Sequence, residues 1–271
     1  MNNVLRTEQP LTNDQLRQIA PSVFATQPWH QMSDKYAFIP TIDVVEKMRA
    51  EGFEPVEVQQ ARTRIAGKGD FTKHLLRFRD LRNGDLPAVR SLGQIFTELL
   101  LTNSHDGASA YKLHSGLFRA VCLNGMVVAD GLVEHVSVRH TGDPGDVIDA
   151  TYEVVDQMPK VLESVERFSQ LRLTAPQEQA FATAALQLRY DEGEAPITPA
   201  QVVTRRRTAD MEPTLWNTFN AAQENLVQGG TRYRSENGRR SRTRAVHGIS
   251  ENTRLNKALW TLAEEMHRLA Q

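Results

Sequence analysis

The chain has 271 residues, a formal net charge of −1 and 40% hydrophobic residues. This length can bury the core of one large domain or two small ones, and the charge balance excludes a protein that is basic throughout. The sequence contains no apolar run of about 18 residues and no basic-then-apolar start, so we expect neither a membrane span nor a secretory signal. The single cysteine, Cys122, cannot form an internal disulfide, which favours a cytoplasmic location.

Residues 1–53 are predicted to form an N-terminal mixed segment. The run Thr12-Asn13-Asp14 is predicted to cap a short helix that contains Leu16 and Ile19 and that Pro21 would end. Thr41 is predicted to cap a second helix, which Gly52 would stop.

Residues 54–145 are predicted to form a β-rich core. Apolar and polar residues alternate at 56–60 and again at 76–80, which predicts a β-hairpin. The apolar run 95–101 is compatible with a strand or a helix, since periodicity alone does not separate them. The alternation at 133–140 predicts a half-exposed strand.

Residues 146–271 are predicted to be a helical region. Apolar residues recur at helical spacing on both sides of Pro159, which predicts a kinked helix. Thr174 begins a capping-box pattern, and the last apolar stripe, 255–269, is expected to pack internally or against a neighbouring subunit. We therefore expect an α+β fold, with a central antiparallel β-sheet region and a helical C-terminal half in one compact unit.

An arginine-rich loop is predicted between the last two helices. It carries six arginines against the single acidic residue Glu236, with Tyr233 between the first two. Guanidinium groups bind phosphate through paired hydrogen bonds and stack on flat rings, and an interleaved aromatic suits a groove that follows a nucleic-acid strand. The predicted nucleic-acid-binding residues in the loop are Tyr233 and Arg232, Arg234, Arg239, Arg240, Arg242 and Arg244.

A second arginine cluster extends this prediction. Arg205, Arg206 and Arg207 precede the helix before the loop, and we include them among the candidate phosphate contacts. The alternative is that these arginines are solvated or are paired with acidic residues of the same chain or of a neighbouring subunit.

Weaker chemistry is suggested by His105 and Asp106, which lie in a run of small and polar residues, 103–111. These two side chains could bind a divalent metal, or His105 could act as a general base oriented by Asp106. The alternative is a tight turn in which the Asn, Ser and Asp side chains hydrogen-bond to the backbone. The sequence contains no Walker A motif, no dinucleotide-binding fingerprint, no H-E-x-x-H motif and no G-x-S-x-G motif. A catalytic role is therefore the less favoured prediction, and no cofactor is predicted apart from that metal.

Two sequence blocks resemble a known family. The first is TNSHDGASAYKLHSGLFRAVCLNGMVVADG, residues 102–131; the second comprises WNTFNAAQENLVQGG, NGRRSRTRAVHGI and LNKALWTLAEEM, within residues 216–266. Both resemble the phage/plasmid-like proteins grouped as domain of unknown function 932. That resemblance implies a protein of bacterial mobile elements, similar in setting to single-strand annealing recombinases.

Together, these observations predict a cytoplasmic nucleic-acid-binding protein that binds and anneals single-stranded DNA in recombination, as a homo-oligomer. Two alternatives stay open at this point. One is a metal-dependent nuclease or other hydrolase that uses His105 and Asp106, and the other is an interaction protein that binds a host factor.

Overall fold

The structure of the protein is a computed structural model, which describes residues 3–33, 36, 38–82, 84, 86–128, 136–138, 145–235 and 237–270. The strands are β1 (Val4–Arg6), β2 (Phe53–Gln60), β3 (His74–Asp80), β4 (Ile95–Asn103), β5 (Tyr111–Arg119), β6 (Asn124–Val127), β7 (Val136–Val138), β8 (Arg232–Arg234) and β9 (Arg240–Arg242). The α-helices are α1 (Asn13–Ile19), α2 (Thr41–Ala50), α3 (Gly145–Val155), α4 (Met158–Gln170), α5 (Ala175–Gln187), α6 (Pro199–Val202), α7 (Leu215–Gln223) and α8 (Ile249–Leu269). A π-helix, Glu224–Gln228, follows α7.

The chain divides into two compact units. The first unit comprises residues 1–120 and 133–158, and the second comprises residues 121–132 and 159–271. The predicted mixed segment and the predicted β-rich core therefore contribute to the same unit, and the helical region is divided near residue 158.

The first unit contains an antiparallel sheet with the strand order β1-β2-β3-β4-β5, and β7 also pairs with β5. One face is apolar because residues in register across the strands are apolar, namely Val58, Leu76, Leu101, Leu113 and Val136. Helices α1, α2 and α3 contribute buried side chains to the same core. The predicted hairpin between β2 and β3 is confirmed, and the ambiguous run 95–101 lies within strand β4. Of the predicted strand 133–140, Val136–Val138 is β7 and the remainder lies outside the described residues.

The opposite face of this sheet holds an ion network around Glu98, whose side chain has no exposed surface. Its carboxylate forms ion pairs with Arg77 at 3.4 Å, with Arg79 at 3.2 Å and with Arg6. Arg6 also forms an ion pair with Glu57 at 2.5 Å. Burial by itself would raise the pKa of Glu98, but Arg6 and Arg77 outweigh that effect and hold the pKa below its usual range. Glu98 therefore remains an anion that neutralises buried arginines.

Local sequence signals account for most helix starts. Thr12 accepts a hydrogen bond from the Gln15 amide in a capping box, and Thr174 does the same with Gln177. Thr41 differs from the prediction, because it is the first residue of α2 and its side chain makes no cap. The predicted kinked helix around Pro159 consists of two helices, α3 and α4, with the proline in the first turn of α4.

The second unit has an aromatic helical core. The Trp260 ring of α8 meets Phe168 of α4 and Phe219 of α7 with ring centroids 5.3 Å and 5.6 Å apart. Every residue of α7 is buried. The C-terminal stripe begins inside this core at Leu255 and ends at Leu269, which is 72% exposed. Among the described residues, no helix is both long and apolar enough to cross a membrane.

Candidate nucleic-acid interface

The arginine-rich segment contains a short β-hairpin made by strands β8 and β9. The sequence alternates as Arg-Tyr-Arg in β8 and Arg-Ser-Arg in β9, the period that places alternate side chains on opposite faces of a strand. Hydrogen bonds from the Ser235 amide to the Arg239 carbonyl oxygen, 2.9 Å, and from the Gly238 amide to the Ser235 carbonyl oxygen, 2.8 Å, hold the connecting turn. The predicted loop is thus ordered as a two-stranded element.

The hairpin register places like charges opposite each other. Arg232 pairs with Arg242 and Arg234 pairs with Arg240, so these four side chains share one side of the hairpin, which we call the arginine face. Residues directly opposite in an antiparallel pair are close neighbours, and each like-charge pair costs up to about 1 kcal/mol. All four residues are exposed, and no acidic side chain within the described ranges forms an ion pair with them. The face therefore carries positive charge that no acidic side chain of the described residues neutralises through an ion pair.

The surface around the hairpin is concave. A cavity of about 920 Å³ is lined by the six residues of β8 and β9, namely Arg232, Tyr233, Arg234, Arg240, Ser241 and Arg242. Two more predicted contacts, Arg239 in the turn and Arg244 just after β9, are exposed as well. The six arginines predicted from the loop are therefore all accessible to a ligand.

The base of the hairpin is closed by Thr231 and Thr243. The Thr243 amide donates to the Thr231 carbonyl oxygen at 2.9 Å, and the Thr231 amide donates to the Thr243 hydroxyl at 3.1 Å. The Gly230 amide also donates to the Thr243 carbonyl oxygen at 2.9 Å. Thr243 is buried, so the base of the hairpin is anchored in the second unit.

Asn225, in the π-helix, fixes that base to the rest of the second unit. Its side-chain amide group donates to the carbonyl oxygens of Val202 and Thr204, both at 2.9 Å. Its side-chain oxygen accepts from Arg206 at 2.7 Å and from the Thr231 hydroxyl at 3.1 Å. All the usual hydrogen-bonding positions of the amide are filled, which determines its orientation.

Gly229 allows the chain to approach itself closely where the π-helix ends. Its φ is +71°, and its amide donates to the Glu224 carbonyl oxygen at 3.1 Å, the i to i−5 bond that closes the last π-turn. A Cβ at this position would lie 2.7 Å from the Arg244 carbonyl carbon and 2.8 Å from the Thr243 carbonyl oxygen. Only glycine fits both the conformation and the space.

The second predicted arginine cluster has a different environment. Arg207 makes a two-pronged contact with Glu224 at 2.7 Å and 2.8 Å, and this contact raises the pKa of Arg207. Arg205 pairs with Glu178, and Arg206 bonds to Asn225 and to the Gly229 carbonyl oxygen. These contacts favour a structural role for the three arginines: Arg206 and Arg207 hold their segment against the π-helix, and Arg205 holds it against α5 and α7.

His105 and Asp106 have different environments. His105 has no exposed surface and its Nε2 lies 3.1 Å from the Thr41 hydroxyl, whereas Asp106 pairs with Lys68 at 3.0 Å. Asp106 also accepts the Ala108 amide at 3.1 Å, the turn-type hydrogen bond that was the alternative prediction. Over the described ranges, His, Cys, Asp and Glu nowhere gather in a group of three that could hold a metal ion.

The Thr41 hydroxyl is the centre of a buried hydrogen-bond network in the first unit. It lies 3.0 Å from His74 Nε2 and 3.0 Å from the Tyr111 hydroxyl, and it accepts from Asn103 at 3.1 Å. His74 Nδ1 lies 3.2 Å from the Thr72 carbonyl oxygen, which can only accept, so Nδ1 carries the proton and Nε2 accepts from Thr41. Burial lowers the pKa of His74 to about 4, so this imidazole is neutral near pH 7.

The residues that position the hairpin were not predicted from the sequence. Asn225, Gly229, Thr231 and Thr243 contribute no charge, and Arg189, which donates to the Leu226 and Arg244 carbonyl oxygens, lies outside the arginine-rich segment. One signal was available: the run WNTFNAAQENLVQGG places asparagine and glutamine at positions that a buried helix usually fills with apolar residues.

Comparisons with known proteins identify the family to which the chain belongs. The chain belongs to the family described as "Domain of unknown function (DUF932)", whose model matches residues 28–260 and therefore includes the hairpin. It is 41% identical over 265 residues to UPF0380 protein YafZ of Escherichia coli strain K12, which covers 97% of this chain and 94% of that protein. It is 40% identical to UPF0380 protein YfjQ of the same strain, with the same coverage. No solved structure matches the chain at a significant level.

Proposed function

We propose that this protein binds single-stranded nucleic acid through the arginine face of the β8–β9 hairpin. The observation that carries the proposal is the opposition of Arg232 to Arg242 and of Arg234 to Arg240 on an exposed face. Without an anion, these pairs repel each other, and the fold gives them no acidic partner within the described residues. A chain of phosphates removes that repulsion and releases its own counterions when it binds.

The contrast with Arg205–Arg207 supports the proposal. Arg205 and Arg207 form ion pairs with Glu178 and Glu224, so the charges of these structural arginines are neutralised within the chain. The arginine face is supported from behind by main-chain hydrogen bonds and by Asn225, and its guanidinium groups are left to the solvent. A charged surface that is both held in place and unpaired is suited to an external ligand.

Annealing is the activity that we propose to follow from such binding. Complementary strands repel each other through their phosphates, and neutralisation of part of that charge lowers the cost of bringing them together. This proposal matches the role that the family resemblance suggests, in recombination by bacterial mobile elements.

Binding is tested with a fourfold variant, Arg232→Gln, Arg234→Gln, Arg240→Gln and Arg242→Gln. The matched control replaces four other exposed arginines by glutamine and so has the same net charge: Arg17, Arg172, Arg254 and Arg268. Affinity for a labelled single strand is measured over a salt series. Each lost phosphate contact should reduce the slope of log affinity against log salt by about 0.7, so we expect a reduction of about 3 for the fourfold variant and little change in the control.

A folded fourfold variant with unchanged affinity and slope would exclude the hairpin as the contact surface. The same labelled strand, incubated with magnesium or manganese, tests the nuclease alternative. Intact DNA with retarded mobility supports binding. Cleavage that persists in the fourfold variant would show instead that the protein is a nuclease whose activity does not depend on the arginine face. Annealing of complementary labelled strands by the native protein, and its loss in the same variant, completes the test.

A further inference from the structure

The arginine face has a uniform chemistry. Because β8 and β9 are antiparallel and in register, the side chains that point to this face are Arg232, Arg234, Arg240 and Arg242, and all four are arginine. Tyr233 and Ser241 are opposite each other and point to the other face. The register therefore places Tyr233 and the four arginines on different faces of the hairpin, although all of them contribute to the lining of the cavity.

Tyr233 is also engaged with its own unit. Tyr233 is half-buried. Burial raises the pKa of Tyr190, which follows α5, and the charges of Arg189 and Tyr233 modify it further. A half-buried residue on the opposite face of the hairpin is poorly placed to stack on a base held by the arginines.

Charge decides what the arginines bind. Alternate residues along a strand are separated by about 6.7 Å and neighbouring strands by about 4.8 Å, so four positive charges are concentrated on a small surface. A phosphate between two guanidinium groups cancels the repulsion of an opposed pair, whereas a neutral base stacked on one of them leaves that repulsion in place. The favourable ligand group is therefore the phosphate.

We infer that the arginine face recognises the phosphodiester chain of a nucleic-acid strand and makes no energetically important contact with its bases. This inference rests on the proposed function, which it makes more specific. Base identity is then irrelevant to binding at the hairpin, and a strand that has no bases is an equivalent ligand.

The test compares oligothymidylate with an abasic strand of the same length and charge, each competing with a labelled single strand for the native protein. We expect the two competitors to differ by less than about threefold, since each base stacked on protein would contribute about tenfold or more. Tyr233→Leu, which keeps the half-buried position apolar, should bind oligothymidylate within about threefold of the native protein. Tyr233→Phe serves as the milder variant if Tyr233→Leu does not fold.

Two results would overturn the inference while leaving the proposed function intact. One is binding of oligothymidylate about tenfold or more tighter than binding of the abasic strand. The other is an equally large loss on Tyr233→Leu or Tyr233→Phe that is confined to the strand with bases. If neither strand binds to the native protein, the proposed function fails, and this inference fails with it. Poly-L-glutamate of matched charge is a further competitor, and if it competes as well as the abasic strand, the hairpin recognises acidic chains in general and not phosphate.

Discussion

The side chains of Asn225 and Thr231 are joined by a hydrogen bond of 3.1 Å, in which the threonine hydroxyl donates to the asparagine oxygen. This bond connects the π-helix to the first strand of the hairpin. The same asparagine holds the carbonyl oxygens of Val202 and Thr204, so one buried amide organises two loops and the base of the candidate interface. The orientation of the arginine face therefore depends on an uncharged residue behind it.

Asn225→Asp should lower the free energy of unfolding by about 3 kcal/mol. A carboxylate would replace the amide group that donates to Val202 and Thr204, and a buried anion would then face two carbonyl oxygens. Urea denaturation measures the change. Asn237→Asp, at an exposed position in the hairpin turn, is the control and should change the free energy by less than about 0.5 kcal/mol. Equal stability of the two variants would contradict the role that we assign to Asn225.

Gly229→Ala should be much more damaging than Gly238→Ala. Both glycines have a positive φ, +71° and +73°, but Gly229 combines it with a ψ of −146°, a backbone conformation that only glycine adopts readily. At Gly238 the new Cβ would meet no atom within 4 Å, but at Gly229 it would lie 2.7 Å from the backbone of Arg244.

The difference between these two variants combines the steric clash at Gly229 with the backbone strain that its conformation imposes on alanine. We expect Gly229→Ala to be less stable than Gly238→Ala by about 2 kcal/mol in urea denaturation. It should also bind a single strand more weakly, because the strand β9 has to move. A folded Gly229→Ala protein with the stability and salt slope of Gly238→Ala would show that the close approach is not required.

Glu98→Gln should destabilise the first unit by about 3 to 5 kcal/mol, because Arg6, Arg77 and Arg79 would lose the anion they share. Glu265→Gln removes the same charge from an exposed pair with Arg268 and should cost less than about 1 kcal/mol. Denaturation of both variants at neutral pH provides the comparison. A loss at Glu98 no larger than that at Glu265 would mean that the network adds little to stability.

The stability of the protein should fall between about pH 6.5 and pH 4 because of His74. Its pKa is about 4 in the folded protein and 6.5 when exposed. Between these two values His74 binds a proton in the unfolded chain but not in the folded protein. The stability present above pH 6.5 is thus lost as the pH falls, and the loss attributable to His74 at pH 5 is roughly 2 kcal/mol.

His74→Gln separates this contribution from that of the carboxylates. The variant should be less stable than the native protein at pH 7, but its stability should decline less steeply between pH 6.5 and pH 5. Denaturation midpoints across the pH series test both statements. An unchanged slope in His74→Gln would show that another group controls the acid sensitivity.

Much of the fold was predictable because the signals are local. The capping boxes at Thr12 and Thr174 and the alternating residues of β2 and β3 specify their elements within a few positions of sequence. Thr41 shows the limit: its residue type suits an N-cap, but its hydroxyl instead contacts His74, His105 and Tyr111, which are distant in sequence and lie in the core. Tertiary contacts of this kind override local propensity.

The candidate site was predictable in composition but not in geometry. The density of arginine in the sequence identified both clusters. Only the structure shows that Arg207 forms an ion pair with Glu224, whereas Arg234 lies opposite Arg240 in the hairpin. Ion pairs join residues that are distant in sequence, so charge counts cannot tell a structural arginine from one that is open to a ligand. The alternation in Arg-Tyr-Arg and Arg-Ser-Arg was a strand signal, but three residues are too few to establish a period.

The closed base of the hairpin has a consequence for how this protein can vary. Thr231 and Thr243 complete their mutual hydrogen bonds without help from the strands beyond them. The exposed side chains between these two threonines can therefore be exchanged while the hydrogen bonds at the base of the hairpin stay in place. A scaffold with such an interchangeable tip can acquire new ligands through a handful of substitutions and leave its interior untouched.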